Sequence, residues 1–450
     1  MMMTIQPPRS RARWIDPLLF AFVSVGAYIL CRSQPLTNVT LVMVVVGTVT
    51  LPMCMLELAQ APWRGMPRPT IPFRQMIGRA AVKWIGTLLG FGGVLLAWCT
   101  LPEYARGSYR PLFDALPIVL PAVPPVTAAV ILATEWRLGP LPDHAWHFGL
   151  LAIGRWREAD WVAIRDGALG WLVKGFFLPL NFCSLVEIVA QFRGNEAAIL
   201  TAPWPAMVAS VTTLILAVLV STIIPGYLFS SRLLGTEIRK VDHSWFGWVV
   251  TLSCYPPLLA GVFDHWFNYY PYRANPIWMK PWAVLLQGAS TASYCVGGLI
   301  VLVEIIHYWG EATFGLRSSN LTHRGLITNG PYRFCKHPVY LAKCFGWLLI
   351  WMPFAMGGGI WDSMRLTFLW GCVCGIYLMR SWVEERLLAS DPDYVAYGLW
   401  IDRHGIFAFL GRALPPLSFG WRYQRWSLRR KVDEVRSTGQ DEPLSQISPV

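Results

Sequence analysis

The stretch WPAMVASVTTLILAVLVSTIIPGYLF, residues 204–229, decides the fold, because it runs for 26 residues without a charged side chain. About 20 apolar residues are enough for a helix to cross the hydrocarbon core of a bilayer. The whole chain shares this character, with 54% apolar and 14% charged residues over its 450 positions. A soluble domain carries about 25% charged residues. The composition therefore excludes an ordinary soluble enzyme and predicts an all-α integral membrane protein.

Further apolar windows predict about ten transmembrane helices in all, because each can satisfy its own backbone groups in lipid. The windows are Trp14–Cys31, Leu36–Leu56, Ala80–Leu101, Leu112–Thr134, Gly167–Phe192, Trp204–Phe229, Trp245–Phe263, Pro281–His307, Pro338–Met356 and Trp361–Arg380. The fourth window is interrupted by Pro117, Pro121, Pro124 and Pro125, so it is expected to be kinked or re-entrant.

The basic residues give this topology an orientation. With the N-terminus in the cytoplasm, the inside segments carry 29 Lys and Arg and the outside segments carry 7. Cytoplasmic loops are enriched in these residues, so both termini are expected inside, in a bacterial inner (cytoplasmic) membrane. The same basic loops account for the net charge of +12 without a nucleic-acid partner.

The chain divides into three regions by character. Residues 1–240 form an N-terminal transmembrane region of about six helices with no assigned role. Residues 241–428 form a second membrane region of about four helices followed by interfacial helices. Residues 429–450 become basic and then polar, which predicts a disordered tail. No internal repeat is visible, which disfavours an inverted-repeat transporter. Nothing in the sequence indicates the oligomeric state.

The first segment whose residues suggest a binding site is RGLITNGPYRFCKHPVY, residues 324–340. Asn329, Gly330 and Pro331 are turn formers. His337 and Pro338 form a helix start, with Pro at the first helical position. A helix start exposes free N–H groups, which suit an anionic group. By spacing alone, an ordinary interfacial loop fits equally well.

The second segment follows the tenth window. Arg380 and Glu384 are four residues apart, so they share a helix face and predict an ion pair. Asp391 is of the residue type that caps helix N-termini, and Pro392 suits the first helical position. They predict a further helix that carries Tyr394 and Tyr397.

The order and spacing of these residues resemble the isoprenylcysteine carboxyl methyltransferase family, and related phospholipid N-methyltransferases share much of the pattern. The resemblance covers about the last hundred residues of the membrane region and implies an S-adenosylmethionine site facing the cytoplasm. Carried over by position, the cofactor-binding residues are Arg324, Gly325, Leu326, Ile327, Tyr332, His337, Pro338, Val339, Tyr340 and Glu384.

The same resemblance implies that Arg380 contacts the methyl acceptor. A carboxylate acceptor needs a cation to orient it, and Arg offers a two-pronged donor. An amine acceptor needs a group that takes a proton, for which His337 is the candidate. The expected function is carboxyl O-methylation of a prenylcysteine-like or other lipophilic acceptor. Three alternatives stay open: lipid-amine N-methylation, an NADPH-dependent sterol-type reductase, and a non-enzymatic transport or scaffold protein.

Other polar groups carry competing interpretations. Glu304, His307 and Glu311 share one face of the eighth window, and we expect them to line a cavity rather than bind a metal. His144 and His147 are expected in a solvated loop. Lys174 and Glu187 fall within the fifth window, where snorkelling and function are equally plausible. The ten cysteines contain no Cys-x-x-Cys pair, so no disulfide framework or zinc site is expected.

Overall fold

The computed structural model describes residues 8, 10, 12–256, 258–259, 262, 266–267, 281–286, 290–355 and 359–438. It is 75% helical, with nearly no sheet, and is therefore an all-α fold. The chain folds into two compact units. The N-terminal unit comprises Ile15–Val241 and Asn275–Gly325. The C-terminal unit comprises Met1–Trp14, Asp242–Ala274 and Leu326–Val450.

The N-terminal unit is a bundle of long apolar helices with one two-stranded antiparallel ladder. Its helices are α1 (Asp16–Cys31), α2 (Asn38–Ala59), α3 (Phe73–Thr100), α4 (Arg110–Val119), α5 (Val123–Leu138), α6 (His144–Ala152), α7 (Trp161–Asn195), α8 (Ala198–Thr201), α9 (Trp204–Leu228), α11 (Pro281–Leu285) and α12 (Ser290–Ala312). The ladder pairs β1 (Lys240–Val241) with β2 (Thr322–His323), with Lys240 opposite His323.

The C-terminal unit contains α10 (Trp245–Leu252), α13 (Pro338–Trp351), α14 (Ile360–Leu388), α15 (Pro392–His404), α16 (Ala408–Ala413) and α17 (Phe419–Thr438). Helices α13 and α14 pack together, and α15, α16 and α17 follow them as a second packed group. Asp391 caps α15 by accepting from the Asp393 N–H at 2.9 Å, and Pro392 is the first helical residue. The predicted further helix is therefore confirmed.

Six helices in the part of the chain that the structure describes are long and apolar enough to cross a membrane. They are α2, α3, α7, α9, α12 and α14. Helices α1 and α13 are apolar but have only 16 and 14 residues. Helix α10 ends at Leu252, inside the window that extends to Phe263, and part of that window lies outside the described residues. Ten separate spans therefore stay a prediction.

The fourth window breaks as its prolines predict. Helices α4 and α5 meet at a bend of 68°, and the break contains Pro121. Pro125 lies in the first turn of α5, where a missing N–H leaves no helical bond unmade. The pair counts as a seventh span if it crosses the membrane as one element.

Helix α7 tolerates an internal proline because its neighbours replace the lost bond. Pro179 has no N–H to donate to the carbonyl of Gly175, four residues earlier. That carbonyl instead accepts from Trp98 Nε1 at 2.7 Å and from the Tyr104 hydroxyl at 3.2 Å. Side chains from outside the helix thus satisfy the group, and α7 continues unbroken for 35 residues.

The structure differs from the predicted division of the chain in three places, of which the first is that Met1–Trp14 belongs to the C-terminal unit. A boundary falls at Val241, next to the predicted one, but residues 275–325 belong with the N-terminal helices. Helix α12, with Glu304, His307 and Glu311, is therefore part of the N-terminal unit. Helix α17 extends to Thr438, so the backbone of residues 429–438 is helical where a disordered tail was expected. Residues 439–450 of that tail lie outside the described residues.

Candidate functional site

A cavity of about 310 Å³ lies within the C-terminal unit, at the meeting of α13, α14, α15 and α17. Its size is at the lower end of the range for small-molecule sites. Its wall is mainly apolar and aromatic. Its polar lining includes Lys336, His337, Ser381, Glu385, Asp402 and Arg422.

The chain reaches the cavity through the turn formed by Asn329, Gly330 and Pro331. Gly330 has a φ of 60°, a left-handed conformation that glycine adopts without strain. After the turn, the carbonyl of Tyr332 accepts from the buried Tyr397 hydroxyl at 2.6 Å. Because burial disfavours a phenolate, the pKa of Tyr397 lies well above its usual value, and the hydroxyl stays a donor. This bond fixes the loop to α15.

His337 and Tyr340 form the centre of the site. His337 immediately precedes α13 and Pro338 opens it, as the sequence predicts. The two rings stack with centroids 5.5 Å apart and planes at 6°. His337 Nε2 lies 3.0 Å from Glu385 Oε1, and the Tyr340 hydroxyl donates to Glu384 Oε1. The stacked rings are therefore anchored to two successive carboxylates of α14.

Arg380 and Glu384 form the ion pair that their spacing predicts, with Arg380 Nε 3.2 Å from Glu384 Oε1. Arg380 is 3% exposed, and its guanidinium lies over the rings of Tyr255 and Tyr340. Its Nη1 also lies 3.3 Å from the Tyr255 hydroxyl. The predicted acceptor-binding cation is thus held in a buried aromatic setting beside Tyr340.

Glu385, which the sequence analysis did not single out, is the fully buried acid of the site. Its side chain contacts His337, Lys336 at 3.4 Å and Arg422 Nη2. Lys336 Nζ is also 3.0 Å from Asp402 Oδ1. Arg422 Nε is buried and, among the residues that the structure describes, has no hydrogen-bond partner. Three basic side chains therefore converge on one carboxylate at the cavity wall.

Sequence reasoning had no signal to separate Glu385 from Glu384. Successive helical residues point about 100° apart, so one of the two faces Arg380 and the other faces the cavity. Arg422 is 37 residues from Glu385 in the chain and lies on another helix, which no spacing rule connects. The contact between Glu385 on α14 and Arg422 on α17 can be recognised only in the folded structure.

Arg324 and Gly325 belong to the N-terminal unit, whereas the remaining predicted cofactor residues belong to the C-terminal unit. The Arg324 guanidinium donates to the carbonyls of Gly226, Phe229 and Thr236, with bonds of 2.7 Å to Phe229 and 2.9 Å from Nε to Thr236. These bonds satisfy free carbonyl groups at the C-terminal end of α9. The observed contacts of Arg324 are therefore structural.

Five further predicted cofactor residues lie in the loop before α13 or in the first turn of that helix. Leu326 packs against the aromatic cluster of Tyr394, Tyr397 and Phe419. The remainder are buried, and in the structure they support the loop or the start of α13: Ile327, Tyr332, Pro338 and Val339.

The competing polar groups are placed as follows. His307 Nδ1 lies 3.1 Å from Glu304 Oε2 on α12. His147 Nδ1 accepts from the Asp160 N–H at 3.1 Å. Lys174 Nζ lies 5.3 Å from the ring centre of Trp171 on the same helix. Within the described ranges, no group of three or more His, Cys, Asp or Glu is arranged to hold a metal ion.

Comparisons with known protein families, with curated proteins and with solved structures give no match to this chain.

Proposed function

We propose that the protein transfers a methyl group from S-adenosylmethionine to a lipophilic acceptor at the cytoplasmic membrane face. One observation carries the proposal. His337, Tyr340, Arg380 and Glu384, which the sequence resemblance nominates from two separate segments, meet beside a cavity of about 310 Å³. A helical membrane protein gives such a site access to both a soluble cofactor and a membrane-borne acceptor.

The chemistry of the cavity wall fits the proposed cofactor. S-Adenosylmethionine presents an ammonium, a carboxylate, ribose hydroxyls and an aromatic base, and it supplies a methyl group on a sulfonium centre. Donors from Lys336, His337 and Arg422 suit the carboxylate. Acceptors from Glu385 and Asp402 suit the ammonium and hydroxyls.

The residues of this chain would act by positioning and electrostatics. His337 and Tyr340 line the cavity and contact Glu385 and Glu384, so they would connect the cofactor site to the Arg380–Glu384 pair. Arg380 would orient an acceptor carboxylate, which needs no general base because it is already ionised. For that reason carboxyl O-methylation is preferred over N-methylation within the proposal.

The proposed topology has ten spans with both termini in the cytoplasm of a bacterial inner membrane. Six long apolar helices support a membrane location. The excess of Lys and Arg in alternate segments, 29 against 7, supports the orientation. Both parts of the site then fall on the cytoplasmic side.

The decisive measurement is calorimetric binding of S-adenosylmethionine to full-length protein in detergent, with and without native lipid extract. We expect binding by the wild type and at least tenfold weaker binding by Glu384→Gln. This substitution removes the negative charge that pairs with Arg380 and accepts from the Tyr340 hydroxyl. Asp362→Asn is the matched control, because Asp362 lies on the same helix in an exposed ion pair with Arg365. It is expected to bind like the wild type.

Absence of binding by folded wild type under both conditions would overturn the cofactor assignment. Equal affinity of Glu384→Gln and wild type would remove Glu384 from the site. Labelled methyl transfer in native membranes then separates the acceptors, because a methyl ester releases labelled methanol in mild base and an N-methyl amine does not.

A further inference from the structure

The 403–416 segment, which runs from the last residues of α15 through α16, exposes a series of large apolar side chains. Ile406, Phe407, Phe409, Leu410 and Leu414 are all exposed, and Phe409 is the most open of them at 60%. None of the six helices that are long and apolar enough to cross a membrane includes these residues. An apolar surface of this kind, outside a spanning helix, indicates an interaction site.

The segment packs with its small residues inward. Gly405, Ala408 and Gly411 recur at every third position, and all three line the cavity. A Cβ at Gly405 would lie 2.9 Å from the carbonyl oxygen of Phe334, so that position has no room for a larger residue. The Ile406 N–H donates to the same carbonyl at 3.0 Å and fixes the segment in this orientation. A helix of a water-soluble surface does the reverse and buries its large apolar residues.

The charges of the segment are all basic. Arg403 and Arg412 are exposed, and the segment contains no Asp or Glu. Asp402, the acid that precedes it, is engaged within the unit. Its Oδ1 lies 3.0 Å from Lys336 Nζ, and its Oδ2 accepts from the Gly420 N–H at 2.8 Å. Exposed apolar side chains beside basic ones are typical of segments that lie in the surface of an anionic membrane.

We propose that the 403–416 segment binds the surface of an anionic lipid bilayer, with its apolar side chains among the acyl chains and Arg403 and Arg412 at the headgroups. Helix α16 has six residues, too few to span, so it lies along the surface. Anionic lipids attract basic residues that lie within a Debye length of them. Phe407 and Leu410 also line the cavity, so the bound bilayer meets the cavity rim.

This lipid contact does not depend on which cofactor the cavity binds. The test reconstitutes full-length protein into mixed bilayers of phosphatidylcholine and phosphatidylglycerol. A trace of one of the two lipids carries a photoreactive diazirine on its acyl chain, and the adducts are mapped by mass spectrometry. Labelling of the segment is divided by labelling of the α14 peptide that contains the exposed Phe368, which serves as the internal reference.

We expect acyl-chain adducts on the wild-type segment from both probes, with the higher ratio for the phosphatidylglycerol probe. Added salt should reduce this preference, because exposed charges are screened. The double variant Arg403→Gln/Arg412→Gln should lose the preference, so that the two probes label the segment equally. Arg155→Gln is the control, because Arg155 is an exposed cation of the N-terminal unit that pairs with Glu158. It should keep the preference.

Phe409→Asn tests the apolar part of the contact, and it should lower the labelling of the segment by both probes. A wild-type segment without acyl-chain adducts would overturn the membrane contact. Equal labelling of the wild type by both probes at low salt would overturn the selection of anionic lipid, and a double variant that keeps the preference would exclude Arg403 and Arg412 as its source. Protection from both probes, together with crosslinking of the segment to a second copy of the chain, would assign this surface to a protein interface instead.

Discussion

Among the residues that the structure describes, each unit completely buries one carboxylate, and the two settings differ. In the N-terminal unit, Glu135 on α5 lies between Arg79 Nε at 3.1 Å and Lys83 Nζ at 2.5 Å, both on α3. Lys83 also reaches Asp143, the cap of α6, at 2.7 Å. In the C-terminal unit, Glu385 gathers Lys336, His337 and Arg422 at the wall of a cavity.

The comparison teaches that a buried ion pair does not by itself indicate function. The Glu135 cluster joins α3, α5 and α6, and its charges are used in holding those helices together. The Glu385 cluster also joins helices, but all four of its members line a cavity. Access for a ligand, rather than burial, separates the two.

The largest expected effect comes from removing Lys83, the nearer of the two cations that pair with Glu135. Lys83→Met keeps the length of the side chain but leaves Glu135, which is fully buried, without its nearest positive group. Breaking a buried pair in this way is expected to destabilise the fold by about 3–5 kcal/mol. Thermal unfolding in detergent measures the loss.

The double variant Lys83→Met/Glu135→Gln checks the physical reason. If the carboxylate that is left with Arg79 alone causes the loss, then neutralising it should restore part of the stability. A double variant that is less stable than Lys83→Met would contradict that account. Where Lys83→Met remains folded, S-adenosylmethionine binding should match the wild type, since the cluster belongs to the other unit.

A smaller loss of stability, joined to a loss of binding, is expected for Glu385→Gln. The amide keeps the shape and one acceptor oxygen, and Lys336 retains Asp402 at 3.0 Å. Loss of charge-assisted bonds predicts destabilisation by about 1.5–3 kcal/mol. Because His337 and Arg422 lose their anchor, cofactor affinity should fall together with stability. Calorimetry and thermal unfolding on one preparation test both, and unchanged affinity would make Glu385 a purely structural group like Glu135.

The same contrast shows where prediction from sequence succeeds and where it ends. Local rules gave the Arg380–Glu384 pair, the His337–Pro338 helix start and the Asp391 cap, because each depends on residues at most four positions apart. Hydropathy predicted about ten spans, and six helices among the described residues are long and apolar enough to cross a membrane.

What sequence could not supply is contact between distant segments. Arg324 carries the right charge for an anion site, but the free carbonyls at the end of α9 accept its bonds. The partnership of Glu385 with Arg422 depends on how α17 packs on α14. A resemblance by position assigns residue types to roles, and it carries no information about such competing partners.

The smallest expected effect sharpens the comparison, because it touches the loop that carries His337 without touching a charge. Tyr397→Phe removes the hydroxyl that donates to the Tyr332 carbonyl at 2.6 Å and leaves the ring packed against Tyr394. The loss of one buried hydrogen bond predicts destabilisation by about 1 kcal/mol. Its effect on cofactor affinity should exceed what the change in stability explains, because the loop that positions Lys336 and His337 becomes less constrained. Thermal unfolding beside calorimetry, with Tyr394→Phe as the aromatic control, separates the two contributions. If both phenylalanine variants bind as tightly as the wild type, then the ion pairs with Glu385 alone hold this loop in place.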